Sequence, residues 1–190
     1  MERESLYSFV QAIHPCPRDV IVEYVDHWEE VSYGRKEVIT PAGQIERYIY
    51  FVLEGEQRAY FLKHGKEHII AFTYPPSLSG VPESFLTQRP SHFTLETITP
   101  SKLIRISYEK HEHLLARHRE LETLMRKATE QVLAGIVQQY HERLALSIAE
   151  RFAVFMQRSR HLLQRIPHKY LASYLNMDPT NFSKLLKQYG

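Results

Sequence analysis

The hydrophobic period of this 190-residue chain changes near Ser107. Between Glu30 and that point, apolar residues recur at every second position in short runs, which is typical of β-strands. After it, they recur at every third or fourth position, which indicates amphipathic helices. The chain therefore combines a β part with a helical part that follows it, and we predict a mixed α and β fold.

The β part, residues 30–106, consists of short strands separated by glycine corners. Strands spaced roughly 8–12 residues apart predict an antiparallel sandwich or barrel. The predicted strands are Tyr48–Leu53, Arg58–Leu62, His68–Tyr74, Thr94–Ile98 and Leu103–Ile106. Upstream of them, the apolar spacing between Ser8 and Trp28 is interrupted by two prolines and predicts two short helices.

The helical part begins with a long helix, predicted over Arg119–Tyr140. One face of this helix carries a narrow apolar stripe, made of Leu121, Met125, Ala128, Val132 and Ile136. The stripe is longer than one small sheet face needs, so we interpret it as the seam of a two-helix dimer rather than as packing onto the barrel. Further on, Ser147 and Glu150 have the spacing of a capping box, which predicts a second helix starting there.

The charge of the chain is distributed unevenly. Residues 1–150 contain 17 Lys and Arg against 21 Asp and Glu, whereas residues 151–190 contain 7 against 1. A basic segment attached to a mildly acidic body suggests a polyanionic partner, most often a nucleic acid. A basic surface that is only solvated is the alternative.

Composition excludes several other classes of protein. The single cysteine, Cys16, excludes a disulfide framework and four-thiolate metal sites. The amino terminus lacks the profile of a signal peptide, and no apolar run approaches the ~20 residues that span a bilayer. We therefore expect a cytoplasmic protein without a membrane segment.

Residues 166–187 have the pattern of a helix-turn-helix. Pro167 suits the first turn of one helix, and Asn176 tolerates the left-handed backbone that would end it. Asp178 and Pro179 then supply the cap and the first turn of a second helix. The residues predicted to face inward are Leu171, Ala172, Leu175, Phe182, Leu185 and Leu186. A helical hairpin that only stabilises a bundle is the alternative interpretation.

The outward residues of the predicted second helix have side chains that can bind DNA. We predict base reading by Thr180, Asn181 and Lys184, because Asn pairs with adenine and Lys donates to guanine in the major groove. The predicted phosphate contacts are His168, Lys169, Ser183 and Lys187.

This order of parts resembles the CRP/FNR superfamily of bacterial transcription regulators, the relatives of the catabolite activator protein. The resemblance covers nearly the whole chain and is clearest in Tyr48–Gly55, Leu103–Tyr108 and Ile166–Lys187. It implies three domains: an N-terminal jelly-roll effector domain similar to cyclic-nucleotide-binding domains (1–118), a dimerisation helix (119–145) and a helix-turn-helix domain (146–190).

The resemblance also implies partners. They are double-stranded DNA with a palindromic site and a second copy of this chain, with RNA polymerase as a further candidate. The family's base-reading positions fall on Pro179, Thr180 and Lys184, and its Arg-Glu…Arg set is absent, so we expect a different target sequence. The family's β-wing has no counterpart after Lys187, so we expect modest, salt-sensitive affinity.

The effector-binding positions of the family carry different chemistry in this chain. Gly80-Val81 and Ser91-His92 stand where cyclic-nucleotide-binding members have Gly-Glu and Arg-Ser or Arg-Thr. A buried phosphate needs a cationic partner, so we expect an effector other than cyclic AMP, a more apolar ligand, or none. A receptor module that binds a cyclic nucleotide through Arg89, or another small ligand, and acts through protein partners is the alternative. The candidate pocket residues are Gly80, Val81, Arg89, Ser91, His92, Ile136 and Val137.

The histidines do not form a metal-binding pattern. On a helix, His111 and His113 point roughly 200° apart and cannot share one ion without distortion. A cupin-like metalloenzyme is the remaining enzyme hypothesis, and the His-x-His strand motif that it needs is missing. We therefore expect no catalytic residues, no metal and no resident cofactor. Haem ligation by one histidine stays open.

Overall fold

A computed structural model describes residues 2–189 of the chain. Its strands are β1 (Glu29–Tyr33), β2 (Val38–Thr40), β3 (Tyr48–Glu54), β4 (Gln57–Lys63), β5 (Lys66–Thr73), β6 (Ser77–Ser79), β7 (Thr94–Thr97) and β8 (Ser101–Ser107). They form two four-stranded sheets in the orders β1-β8-β3-β6 and β2-β7-β4-β5. This arrangement is an antiparallel jelly roll, and it confirms the predicted fold class.

Helices account for most of the remaining residues. They are α1 (Glu2–Ile13), α2 (Arg18–Asp26), α3 (Pro82–Thr87), α4 (Tyr108–Arg117), α5 (Arg119–Ala145), α6 (Ile148–Ser159), α7 (His168–Tyr174) and α8 (Pro179–Tyr189), with a 3₁₀ turn at Arg160–Gln164. Helix α5 continues past its predicted end at Tyr140. No helix among residues 2–189 is long and apolar enough to cross a membrane.

The chain divides into two compact units. The barrel unit contains the residues up to Ala59 together with Phe72–Gln131, and the helical unit contains Tyr60–Ala71 together with the residues from Val132 onward. Most of the β4–β5 hairpin is therefore grouped with the C-terminal helices. Sequence patterning does not indicate this grouping, because the hairpin is continuous with the strands of the jelly roll.

The core of the barrel unit lies between its helices and the sheet that contains β3 and β8. Phe51 of β3 is directly opposite Ile104 of β8, and both side chains are buried. Leu6 of α1 and Ile21 of α2 join the same cluster. Leu121, at the start of α5, also belongs to it and is completely buried.

The predicted dimer seam on α5 is corrected in its first part. Leu121 packs into the core of its own chain, and Ala128 is 7% exposed, so these side chains are not open to a second copy. By contrast, Val132 is 48% exposed and Ile136 is 57% exposed. The seam therefore stays a prediction for the later turns of α5.

The core of the helical unit is aromatic at its centre. Phe152 of α6 and Phe182 of α8 are fully buried, with ring centroids 5.4 Å apart in an edge-to-face arrangement. Leu171 and Ala172 of α7 are fully buried as well. The capping box predicted at the start of α6 is present, because Ser147 and Glu150 exchange side-chain and backbone hydrogen bonds.

Candidate nucleic-acid interface

The turn between α7 and α8 is built by a left-handed residue, as predicted. Asn176 has φ +53°. Its N–H donates to the carbonyl of Ser173, and the N–H of Met177 donates to the carbonyl of Ala172, both at 3.0 Å. This pair of bonds is a Schellman motif, which satisfies the last carbonyls of α7 and turns the chain sharply. The sequence signal for the turn is therefore a local one.

Helix α8 begins at a capped N-terminus. Asp178 Oδ1 accepts the backbone N–H of Asn181 at 2.9 Å, which satisfies one of the free donors of the first turn. The second carboxylate oxygen, Oδ2, accepts the side-chain amide of Asn181 at 2.6 Å. One donor of Asn181 is thus already used inside the protein. The amide has a second N–H and a carbonyl oxygen, which are the kinds of group that pair with adenine, and base reading by Asn181 stays a prediction.

The outward face of α8 is polar and basic. Thr180, Ser183, Lys184 and Lys187 are all exposed. The hydroxyl of Ser183 donates to the carbonyl of Pro179 at 2.9 Å. Lys184 and Lys187 form no ion pair with any residue in the described range 2–189, so their charges face solvent. A phosphate or a base edge could therefore approach both ammonium groups without displacing a carboxylate.

The first turn of α7 presents the two other predicted phosphate contacts. His168 and Lys169 are exposed, and the His168 ring lies 5.4 Å from the ring of Phe182 in α8. Lys169 Nζ lies 4.9 Å from the ring centroid of Tyr170, a cation–π contact that leaves the ammonium at the surface. His168 and Phe182 thus connect the start of α7 with α8.

The charge of the helical unit suits an anionic partner. The unit contains ten Lys and Arg residues and four Asp and Glu residues. One of those four acids, Asp178, is occupied as the cap of α8, and another, Glu142, pairs with Arg158. The barrel unit has the opposite balance, with 14 basic and 18 acidic residues.

The predicted effector residues occupy different environments in the two units. In the barrel unit, Val81 and Ser91 are buried, whereas Arg89 and His92 are exposed. The Ser91 hydroxyl donates to the carbonyl of Phe93 at 2.7 Å and is occupied by this local turn. In the helical unit, Ile136 and Val137 are 57% and 58% exposed. A ligand site made of these residues stays a prediction.

A carboxylate does lie beside Gly80, and it comes from a distant part of the chain. A Cβ atom on Gly80 would lie 3.4 Å from the carbonyl oxygen of Tyr48 and 4.0 Å from Oε2 of Glu46. Glu46 is 1% exposed and accepts hydrogen bonds from Thr40 Oγ1 at 2.7 Å and from the N–H of Tyr48 at 3.2 Å. Burial raises the pKa of this carboxyl, and the hydrogen bonds oppose that effect.

A buried ion pair lies inside the barrel unit. The Nε and Nη2 atoms of Arg58 donate to Oε1 of Glu96 at 3.0 and 2.9 Å. The side chain of Arg58 is 3% exposed. A guanidinium is therefore present in the interior of the jelly roll, and its charge is balanced by a carboxylate of the same chain.

Comparisons with known proteins agree with this architecture. Residues 30–118 match the family model of the cyclic nucleotide-binding domain. A comparison with curated protein sequences finds no match. Among solved structures, FixK2 from Bradyrhizobium japonicum is similar with a TM-score of 0.74 and 19% identity, over 85% of this chain and 83% of that chain.

Two further structures extend the similarity over more of the chain. The catabolite activator protein of Thermus thermophilus has a TM-score of 0.59 and 17% identity, over 93% of this chain and 84% of that chain. The c-di-GMP-responsive global regulator CLP of Xanthomonas campestris has a TM-score of 0.66 and 16% identity, over 91% of each chain.

The chain has the CRP/FNR-type fold. The resemblance that the sequence motifs carry is thus confirmed for the fold. Residues 30–118, which match the cyclic nucleotide-binding domain family, contain nearly all of the jelly roll of this CRP/FNR-type fold and helix α4. The helix-turn-helix lies outside the residues that match this family.

Sequence reasoning missed several polar residues in the interior of this CRP/FNR-type jelly roll, among them Glu46 and Arg58. Glu46 stands in a loop, 34 positions before Gly80, and nothing in the local pattern connects the two residues. Arg58 lies inside the predicted strand Arg58–Leu62, and a charged residue in a strand that is otherwise apolar is the one signal that could have indicated a buried pair.

Proposed function

We propose that this protein is a DNA-binding transcription regulator of CRP/FNR type that acts as a homodimer on an inverted repeat. The observation that carries the proposal is helix α8, which is capped by Asp178 and supported by α7 through a tight turn, and whose lysines form no ion pair within residues 2–189. A capped recognition helix in a basic unit is the arrangement that enters a major groove. The domains in this proposal are residues 1–118, 119–145 and 146–190.

In this proposal, α8 reads base edges and its surroundings hold the backbone. Thr180 and Lys184 lie one turn apart on the exposed side of α8, and Lys184 can donate to guanine O6 and N7. Asn181 joins them through the second N–H and the carbonyl oxygen of its side-chain amide. The phosphate contacts are His168, Lys169, Ser183 and Lys187, which fix the register of the helix on the duplex.

The homodimer of the proposal forms along the exposed part of α5. The apolar residues there are Val132, Leu133, Ile136, Val137, Tyr140 and Leu144, and each is at least 48% exposed in the single chain. The spacing from Leu133 to Val137, Tyr140 and Leu144 follows the alternation of four and three residues that two-helix coiled coils use. A second α5 would cover this stripe and give the two-fold symmetry that an inverted repeat requires.

The effector of the proposed regulator is something other than cyclic AMP. Arg58 is the buried arginine of the jelly roll, and its charge is already balanced by Glu96. The carboxylate next to Gly80 belongs to Glu46, which is occupied by Thr40 and Tyr48. A ligand that favours one arrangement of the dimer would shift the population of DNA-binding geometries, with recognition helices ~34 Å apart as the competent one.

The first experiment is selection of random duplex DNA by the purified protein, followed by sequencing. We expect an enriched inverted repeat. Lys184→Ala should relax the preference at one base position in each half-site and cost ~1–3 kcal/mol there. The matched control is Lys169→Ala, which should weaken all duplexes alike and reduce the salt slope by about one. Binding without any sequence preference would contradict the proposal.

A receptor module that acts through protein partners is the second candidate. The match of residues 30–118 to the cyclic nucleotide-binding domain favours it. Calorimetry with cyclic nucleotides separates the two candidates, because the module predicts binding that Arg89→Ala abolishes. The regulator proposal expects no heat of binding from cyclic AMP. It also expects RNA polymerase as a partner at promoters and, since its target is chromosomal DNA, a location in the cytoplasm.

A further inference from the structure

The β4–β5 hairpin ends in a tight two-residue turn between two lysines. His64 and Gly65 both have positive φ, +51° and +73°, which is the conformation of a type I′ turn. Strand β4 ends at Lys63 and β5 begins at Lys66, so the two lysines stand directly opposite each other. Residues directly opposite in an antiparallel pair have their side chains on the same face.

This pairing of like charges is unfavourable unless an anion is near. Like charges directly opposite each other destabilise a hairpin, and Lys63 and Lys66 are both exposed. Neither lysine forms an ion pair with a residue in the part of the chain that the structure describes. His68, two residues after Lys66 and on the same face, stacks on Phe61 at 4.9 Å. The hairpin tip thus presents a small cationic face.

The side chain of Ser173 connects the hairpin to the first helix of the helix-turn-helix. Strand β5 is at the edge of its sheet, so one side of its backbone has no strand neighbour. On that side, Ser173 Oγ of α7 accepts the N–H of Ile69 at 3.1 Å and donates to the carbonyl of Glu67 at 3.0 Å. The hydroxyl of Ser173 therefore satisfies one backbone donor and one backbone acceptor at the edge of β5.

This contact brings the hairpin next to a predicted DNA-binding residue. Lys169 precedes Ser173 by four residues in α7, so the two lie on the same face of the helix, one turn apart. The strand edge that Ser173 binds starts at Glu67, the neighbour of Lys66. The tip of the β4–β5 hairpin and the start of α7 both belong to the helical unit, which has more basic than acidic residues.

We propose that the tip of the β4–β5 hairpin is part of the DNA interface, with Lys63 and Lys66 binding phosphates of the duplex that α8 reads. The inference rests on the proposed function. Ser173 is a positioning residue in it, since it acts by holding the hairpin against α7. The hairpin contributes no base reading in this proposal, because contacts to phosphates fix position and carry no sequence information directly.

The salt dependence of DNA binding tests this inference. Each phosphate contact steepens the slope of log K against log salt by about 0.9. The double variant Lys63→Ala, Lys66→Ala should therefore flatten the slope by about two. When the salt concentration rises from 50 to 200 mM, the fold-loss of DNA affinity should be about twelve times smaller in this variant than in the wild-type protein. Its preferred sequence, determined by selection, should stay unchanged.

The matched control removes two lysines from the barrel unit. Lys36→Ala, Lys110→Ala loses the same charge at exposed positions, and its slope should stay that of the wild-type protein. An equal flattening in this control would assign the effect to net charge and overturn the inference. An unchanged slope in the hairpin variant would also overturn it, while α8 would still read DNA. If the wild-type protein bound no DNA, both the proposed function and this inference would fail.

Ser173 is tested in the same assay. Ser173→Ala should flatten the slope, and adding it to the hairpin variant should flatten the slope no further. Ser173→Thr keeps the hydroxyl and should therefore preserve the wild-type slope. If Ser173→Ala left the slope unchanged, the positioning role of Ser173 would be overturned. Thermal unfolding of each variant verifies that the fold is intact before slopes are compared.

Discussion

The interior of the jelly roll contains a charged pair where a small barrel usually has apolar side chains. Arg58 and Glu96 are within 3.0 Å of each other and nearly inaccessible to solvent. Their mutual attraction opposes the cost of removing both charges from water, and replacing one residue of the pair weakens the balance of charge in the interior. The pair thus connects β4 and β7 in the same sheet.

We expect Glu96→Gln to lower the free energy of unfolding by about 3 kcal/mol, since it removes the Glu96 carboxylate from the buried Arg58 charge. Urea unfolding of the purified variant measures this change. Glu29→Gln is the matched control, because Glu29 pairs with Arg105 at 3.1 Å while half of its side chain is exposed. The control should lose less than about 1 kcal/mol. Equal losses in the two variants would contradict the argument from burial.

A buried histidine makes the stability of the barrel unit sensitive to pH. His111 in α4 is 1% exposed, and its Nδ1 lies 3.1 Å from the hydroxyl of Tyr24. Burial lowers the pKa of His111 to about 4. Neutral His111 can accept a hydrogen bond from Tyr24, whereas the imidazolium would be a buried charge.

The sign of the pH effect follows from this lowered pKa. An unfolded chain protonates His111 near its ordinary pKa of about 6.5, and the folded chain does so only near pH 4. The free energy of unfolding should therefore fall by about 3 kcal/mol as the pH is lowered through that window. In His111→Gln this part of the loss should disappear. His113→Gln, at an exposed position of the same helix, should behave as the wild-type protein.

At the scale of the element, the helix-turn-helix is specified by short-range signals. Asn176 ends α7 in the left-handed conformation, and Asp178 begins α8 two residues later. Both features involve hydrogen bonds over at most five residues, so they form as soon as the helices do. This is why the turn and both helices were predictable from their residues.

We expect Asp178→Ala to cost about 1 kcal/mol in the free energy of unfolding, because it removes the N-cap of α8. The measurement is urea unfolding followed by circular dichroism. Asp178→Asn is the control, since Asn caps a helix as well as Asp does and should retain most of the stability. A loss in Asp178→Asn as large as that in Asp178→Ala would indicate that the charge, rather than the cap, matters.

At the scale of the whole molecule, the same apolar period of α5 serves two purposes. Leu121 lies in the core of its own chain, and from Val132 onward the apolar residues are exposed. A run of large exposed apolar side chains along one helix is costly in water unless another surface covers it. The proposed homodimer would cover it.

Ile136→Asp should therefore give monomers, because a carboxylate would be buried in the seam. Light scattering of the purified variant measures the mass in solution. Val22→Asp in α2, at a residue 43% exposed, is the control and should leave the dimer intact. Dimers that persist in Ile136→Asp would move the interface to another surface. The monomer should also bind the selected inverted repeat more weakly, since it reads only one half-site.

The change from strands to helices and the start of α8 were predictable because they depend on neighbours in the sequence. The switch of period near Ser107 indicates a β part followed by helices, and the caps around Asp178 indicate where α8 begins. Local hydrogen bonds and the alternation of apolar residues determine these features before any distant part of the chain is in contact.

Contacts between distant residues were decided only by the tertiary structure. Arg58 meets Glu96 across 38 residues, and Ser173 meets Ile69 across 104. The period of α5 is the same at Leu121 and at Ile136, yet one is buried and the other exposed, because burial depends on which elements pack over a face. Apolar spacing in the sequence indicates that a side chain will be removed from water. Which neighbour covers that side chain is determined only when the distant parts of the chain pack together.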